Sequence, residues 1–193
     1  GGKMRPITKV MAMAVNSAGD VFIVADDYKG LLRCKAGAAN CDPWGPPGEL
    51  TTVKVGASDF VYLLDANQQT VKVVDSSGKL MTATPIGPKI DAPAFAAGSP
   101  NAAGPVFYEV KKITDMAIDQ TYTLYLLDAP NKKVAIVPLR LSGGRLAAEV
   151  KGLVDVATDV STPFGIKNPS AIAVTPSGAL IVAGESARVV RFR

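Results

Sequence analysis

An all-β fold is predicted by three features of this chain. Its apolar residues fall in short runs rich in β-branched and aromatic side chains, such as "VFIVA", "VYLLD", "LYLLD" and "LIVA". Its 18 Gly and 14 Pro punctuate those runs at short intervals, which suits many short elements and not long helices. With 48% hydrophobic and 20% charged residues over 193 positions, the chain has material for one globular domain with a sizeable core.

The runs belong to a repeated unit. The stretch from Asn168 to Arg193 reads as strand, Pro-Ser-Gly turn, apolar strand, polar tip, third strand. The same order occurs over Ala12–Lys35, Val53–Asp75 and Asp115–Leu139. A Val or Ile closes each first strand, at Val15, Val55, Ile118 and Val174. The second strand ends 10 or 11 residues later, at Asp26, Asp65, Asp128 and Gly184. An apolar residue then opens the third strand, at Leu31, Val71, Val134 and Val189. The second strands are almost continuously apolar, as strands covered on both faces are. Small antiparallel sheets repeated in this way predict a β-propeller with four visible blades, either a closed four-bladed ring or part of a larger propeller.

Outer fourth strands are expected near Trp44–Thr51, Leu80–Thr84 and Leu146–Val150. The last copy stops after three strands, and Lys3–Val10 is expected to supply its fourth and close the ring. Two insertions break the rhythm of the single domain. Thr84–Val110 holds five prolines among many Ala and Gly, and is expected to be an extended arm lying on a blade edge or on a partner. Gly152–Asn168 is a shorter excursion.

The last copy resembles the NHL-type propeller repeat through Pro169, Ile172, Ala173, Val174, Gly178, Val182, Ala183, Arg188, Val189 and Phe192. It departs at Gly184, where that pattern has Asp. The first copy keeps Ala14, Val15, Gly19, Val24, Ala25 and Asp26. The second copy, "CDPWGPPGELTTVKVGASDFVYLLD", is similar to a tectonin-type blade, with its Trp and Pro-Gly turn. Both resemblances imply a propeller, and the tectonin one implies glycan binding.

Composition limits the chemistry. Histidine is absent, which removes Ser-His-Asp and Cys-His catalysis and the usual zinc ligand set. The formal charge is +4 with no long basic run, so nucleic acid is not an expected partner. No apolar run is long enough for a membrane span. Cys34 and Cys41 flank a short loop and are a disulfide candidate, favouring a secreted or extracytoplasmic setting; two free thiols are the alternative. Asp26, Asp65 and Asp128 recur once per blade and read as structural turn acids, each accepting backbone N–H bonds, ahead of metal ligands. Trp44 reads as blade packing or as a stacking platform. Tyr28, Trp44, Phe95, Phe107 and Tyr108 are the candidate surface contacts.

No catalytic residue, metal site or cofactor is expected. The reading is a non-catalytic protein-interaction propeller, a subunit or accessory of a larger assembly or cell-surface structure, with other protein subunits as partners. The alternatives are a glycan-binding lectin resting on Trp44 and, further off, a calcium-dependent propeller hydrolase or lyase.

Overall fold

The computed structural model describes residues 7–82, 85–91, 107–156, 166–185 and 188–192. Their secondary structure is seventeen β-strands and one 3-10 turn, Ala57–Asp59. None of the described helices is long and apolar enough to cross a membrane.

The strands form four successive blades. The first is β1 (Val10–Val15), β2 (Val21–Ala25), β3 (Leu31–Cys34) and β4 (Cys41–Trp44), paired in that order. The second is β5 (Leu50–Val55), β6 (Val61–Asp65) and β7 (Thr70–Val74). A two-stranded hairpin follows, β8 (Lys89–Asp91) with β9 (Phe107–Glu109). The third blade is β10 (Ile113–Ile118), β11 (Thr123–Asp128), β12 (Lys133–Ser142), β13 (Arg145–Ala148) and β14 (Gly152–Asp155). The fourth is β15 (Pro169–Val174), β16 (Leu180–Gly184) and β17 (Arg188–Phe192).

All pairings inside the blades are antiparallel. Each innermost strand carries a bulge at the same place, between Val10 and Ala12, Leu50 and Thr52, Ile113 and Asp115, and Pro169 and Ala171. A bulge adds local twist, and its recurrence gives the four blades one shape.

Side-chain alternation assigns each blade two apolar faces, and neighbouring blades press them together. Phe22, Val24 and Leu31 of the first blade pack on Val53, Val61 and Leu63 of the second. Tyr62, Leu64 and Val73 of the second pack on Met116, Leu124 and Leu126 of the third. Leu127 and Val134 of the third pack on Ile172, Leu180 and Val182 of the fourth. Among the described residues the core is therefore three inter-blade layers, which is why the second strands lack a polar face. Gly, Asn and turn chemistry do the rest: "SGG" at Ser142–Gly144 joins β12 to β13 with both glycines at positive φ, 56° and 74°.

Three expectations about the edges are corrected. The outer strand of the first blade is Cys41–Trp44; Leu50 and Thr51 already belong to the second blade's inner strand. Beside β7 there is an irregular edge in place of a strand from Leu80, held by bridges from Val74 to Leu80 and from Val71 to Ile86. In the third blade β13 pairs only with the far end of β12, Leu139–Ser142, while β14 pairs with its near end, Lys133–Ile136. The strand at Gly152–Asp155 thus opens the shorter insertion and is the true outer strand. β12 is ten residues long, and it passes from blade to rim hairpin at Pro138 and Leu139.

The first half of the expected closing strand, Lys3–Val10, falls on residues outside the described set. Its described end pairs inside the first blade: Asp26 N–H donates to the Lys9 carbonyl, and Val10 pairs with Ala25.

Candidate functional site

The innermost strands converge on an axial pocket of about 300 Å³. Its walls are the last residues of those strands: Val15, Val55, Ile118 and Val174, with Ala14, Lys54, Ala117 and Ala173 one position earlier. Three blades place alanine at that earlier position and the second places Lys54. Among the described residues, Lys54 is the only charged residue lining the pocket. Its side chain is 38% exposed, and its Nζ lies 4.0 Å from Asp115 Oδ1. Asp115 sits just past the third blade's bulge and accepts N–H bonds from Met116 at 2.8 Å and Ile172 at 2.9 Å.

The turns at the pocket's end of the inner strands are tied to one another across blades. Ser17 donates its N–H to Asp59 at 2.9 Å and its hydroxyl to the same carboxylate. Those two bonds, the hydroxyl's first, hold the Asp59 carboxyl below its usual value. Ser58 and Tyr122 share a hydroxyl–hydroxyl bond of 2.7 Å. Ser58, Asp59 and Tyr122 all have positive φ, at 56°, 57° and 63°, a conformation that costs non-glycine residues energy and is held here by these bonds.

The acids of the predicted register part company. Asp65 and Asp128 occupy one position, paired with Leu50 and Ile113, the first residues of their inner strands. The first blade's residue there is Ala25, paired with Val10, so Asp26 lies one position beyond. Burial follows register. Asp65 is 2% exposed and Asp128 0%, whereas the Asp26 side chain is 57% exposed and pairs with Lys9 at 3.1 Å. Asp65 accepts the Gln68 N–H of the following turn at 3.1 Å and a Lys72 Nζ contact at 3.1 Å. Asp128 accepts from Tyr108 Oη at 2.9 Å, Asn131 Nδ2 at 2.7 Å and the Lys111 and Lys112 N–H groups.

Cys34 and Cys41 form a disulfide across the β3–β4 pair. Trp44 is half-buried between blades. Its ring centroid is 5.0 Å from that of Phe22, and Gly78 of the second blade lies against its indole edge. Arg33 stacks over it, Cζ 5.5 Å from the ring centroid, and donates Nε to Asp20 at 2.9 Å. Trp44 is therefore not presented for stacking on a ligand. Tyr108 is likewise turned inward onto Asp128; burial first, and that carboxylate next, push its hydroxyl well above the ordinary 10. Tyr28 is half-buried at the tip after β2, against Gly30. Phe107 opens β9, and Phe95 lies outside the described residues. Among the described residues, no three Asp, Glu or Cys side chains gather where they could hold a metal ion.

At the rim, hairpins from neighbouring blades are knitted together. Leu146 N–H donates to Met81 O at 2.7 Å, and Val150 N–H to Asp91 O at 2.7 Å. Thr82 bridges Leu146 in parallel. Two adjoining depressions of about 310 and 320 Å³ share Asp91, Ala147 and Ala148 as walls. Arg140, Glu149 and Lys151 edge the first, and Lys89 and Ile90 the second. Leu141, at the hairpin's end, is exposed.

By sequence, neither a known family nor a curated protein matches the chain. By shape, solved β-propeller structures do. A putative gluconolactonase is similar with a TM-score of 0.63 and 11% identity, over 94% of this chain and 59% of that one. The calcium-binding protein regucalcin of Agrobacterium tumefaciens is similar with a TM-score of 0.56 and 13% identity, over 93% and 55%. YCF48 bound to D1 peptide is similar with a TM-score of 0.51 and 10% identity, over 95% and 48%.

The fold is a β-propeller. The chain spans about half the length of these three propellers. Propellers host unrelated activities, so the likeness carries the fold alone.

The pocket residue that sequence reasoning missed is Lys54. Aligning the four copies on their closing Val or Ile puts it among Ala14, Ala117 and Ala173, and that departure was the available signal.

Proposed function

We propose that this chain is a non-catalytic protein-interaction propeller of NHL-type repeats, a subunit or accessory of a larger assembly. The observation that carries the reading is the rim platform: the β8–β9 and β12–β13 hairpins depart from the plain blade, yet they are fastened into the core through Leu139, Leu146, Val150 and Ile90. A rigid scaffold that holds irregular hairpins at fixed positions is the usual arrangement of a recognition surface. The platform combines an exposed Leu141 with basic and acidic edges, the mixture of apolar anchor and charged surround that protein interfaces use. The peptide bound to the similar propeller YCF48 supports an interaction role for this shape.

The two alternatives have less support. The lectin reading rested on Trp44, whose ring is engaged between blades. A calcium-dependent hydrolase would place the ion near the axis, where the only charged lining residue among the described residues is the Lys54 cation, which repels it.

The test is isolation of the intact chain from its native source. A partner at fixed stoichiometry is expected, and Leu141→Asp with Arg140→Glu should release it while the melting temperature stays unchanged. A chain that elutes alone, or a partner retained by that variant, would overturn the rim reading.

A further inference from the structure

A second surface, independent of the rim, carries an inference of its own. The next-to-last inner-strand position is alanine in three blades, and the following Val or Ile lines the pocket beside it. An ammonium in that setting needs a reason. Lys54 has three donor hydrogens, and its one described charged contact, Asp115 Oδ1 at 4.0 Å, lies outside hydrogen-bond range. The Asp115 carboxylate is meanwhile engaged by two backbone N–H groups, so it is held in place without Lys54.

We propose that the axial pocket binds a small organic monocarboxylate, its anionic end on Lys54 and its apolar body among Val15, Val55, Ile118 and Val174. The charge count selects the class. The Asp115 carboxylate at 4.0 Å already offsets part of the Lys54 charge, so the pocket takes one negative charge at most, and a doubly charged phosphate would leave charge unmatched against apolar walls. The volume of about 300 Å³ lies at the lower end of the range for small-molecule sites. The turn-to-turn bonds Ser17–Asp59 and Ser58–Tyr122 hold the strand ends that form the walls, so the site is preformed.

The experiment is a titration followed by methyl NMR of Val15, Val55, Ile118 and Val174, at constant ionic strength. The probes are hexanoate, hexan-1-ol and hexylamine. Hexanoate is expected to shift these methyls saturably by about 10 mM, and the other two to leave them in place. Lys54→Ala restores the residue of the other three blades and should fold; it should weaken hexanoate about tenfold or more. Lys54→Arg should keep binding. Equal shifts with hexan-1-ol, unchanged hexanoate binding in Lys54→Ala, or no saturable shift with hexanoate would each overturn the site. None of these outcomes touches the rim platform, which the Leu141 variant tests separately.

Discussion

Met13 and Met116 hold the same register position in two blades, the second residue past the bulge, yet Met13 is 63% exposed and Met116 is 0%. The difference lies in what faces them. Met116 is covered by the preceding blade through Tyr62 and Leu64, and the first blade has no preceding blade among the described residues. Truncation should read this out directly. Met116→Ala should cost about 2–5 kcal/mol, the cost of a core cavity, and Met13→Ala less than about 0.5 kcal/mol. Urea midpoints of the two variants check it, and equal losses would mean that Met13 is covered in solution.

The disulfide joins adjacent strands of one blade and closes a short loop, with a sequence separation of 7. Its contribution should be about 2–3 kcal/mol, chiefly through the unfolded chain. Thermal melts with and without a phosphine reductant measure it. Loss of the first blade alone, with the other three intact, is the pattern expected at low reductant exposure, because among the described residues the core clusters join neighbouring blades.

Acid and alkali should act through different groups. The Ala36 N–H, and after it the Arg33 side chain, hold the Asp20 carboxyl below 3.8, and the Ser17 bonds do the same for Asp59. A carboxyl lowered in the folded state stabilises above its unfolded value, and that stability drains as pH falls through the folded one. For Tyr108, raised above 10, the folded state prefers the protonated hydroxyl. Its contribution is full below about pH 10 and is lost as pH rises further. Urea midpoints should therefore be flat from about pH 5 to 9 and fall on both sides. Asp20→Asn should shallow the acid limb; an unchanged limb would show that Asp20 is not the group involved.

The repeat was legible because its information lies in apolar positions, and each inter-blade layer needs the same ones. The acid register was not. Matching Asp26 to Asp65 and Asp128 matched residue type, whereas pairing matches Ala25 to them and leaves Asp26 in solvent. The rim was hidden for another reason. "KVAIVPLRLS" reads as one strand, and nothing local says that its first half pairs with β11 and β14 and its second half with β13. Lys54 was passed over because "VKV" alternates like any half-exposed strand; only comparison among the four copies marks it.

Gly184 shows how local geometry overrides the repeat. The NHL-type pattern has Asp there, and Asp65 and Asp128 fill the same position in the second and third blades. In the fourth blade the segment Ile166–Asn168 crosses directly over it, with Glu185 N–H donating to Lys167 O at 3.0 Å. A Cβ on residue 184 would lie 2.8 Å from Lys167 O and 2.9 Å from Asn168 O, and would run into Ile166 Cγ2. Two of those neighbours are backbone and cannot rotate away. Restoring the pattern with Gly184→Asp should therefore destabilise the protein by at least about 1–3 kcal/mol, with the approaching carbonyls adding repulsion to the carboxylate. Gly184→Ala isolates the steric part and should lose nearly as much. Melting temperatures of the two variants decide it: an unchanged or higher midpoint for Gly184→Asp would mean that Ile166–Asn168 does not lie over the fourth blade in solution.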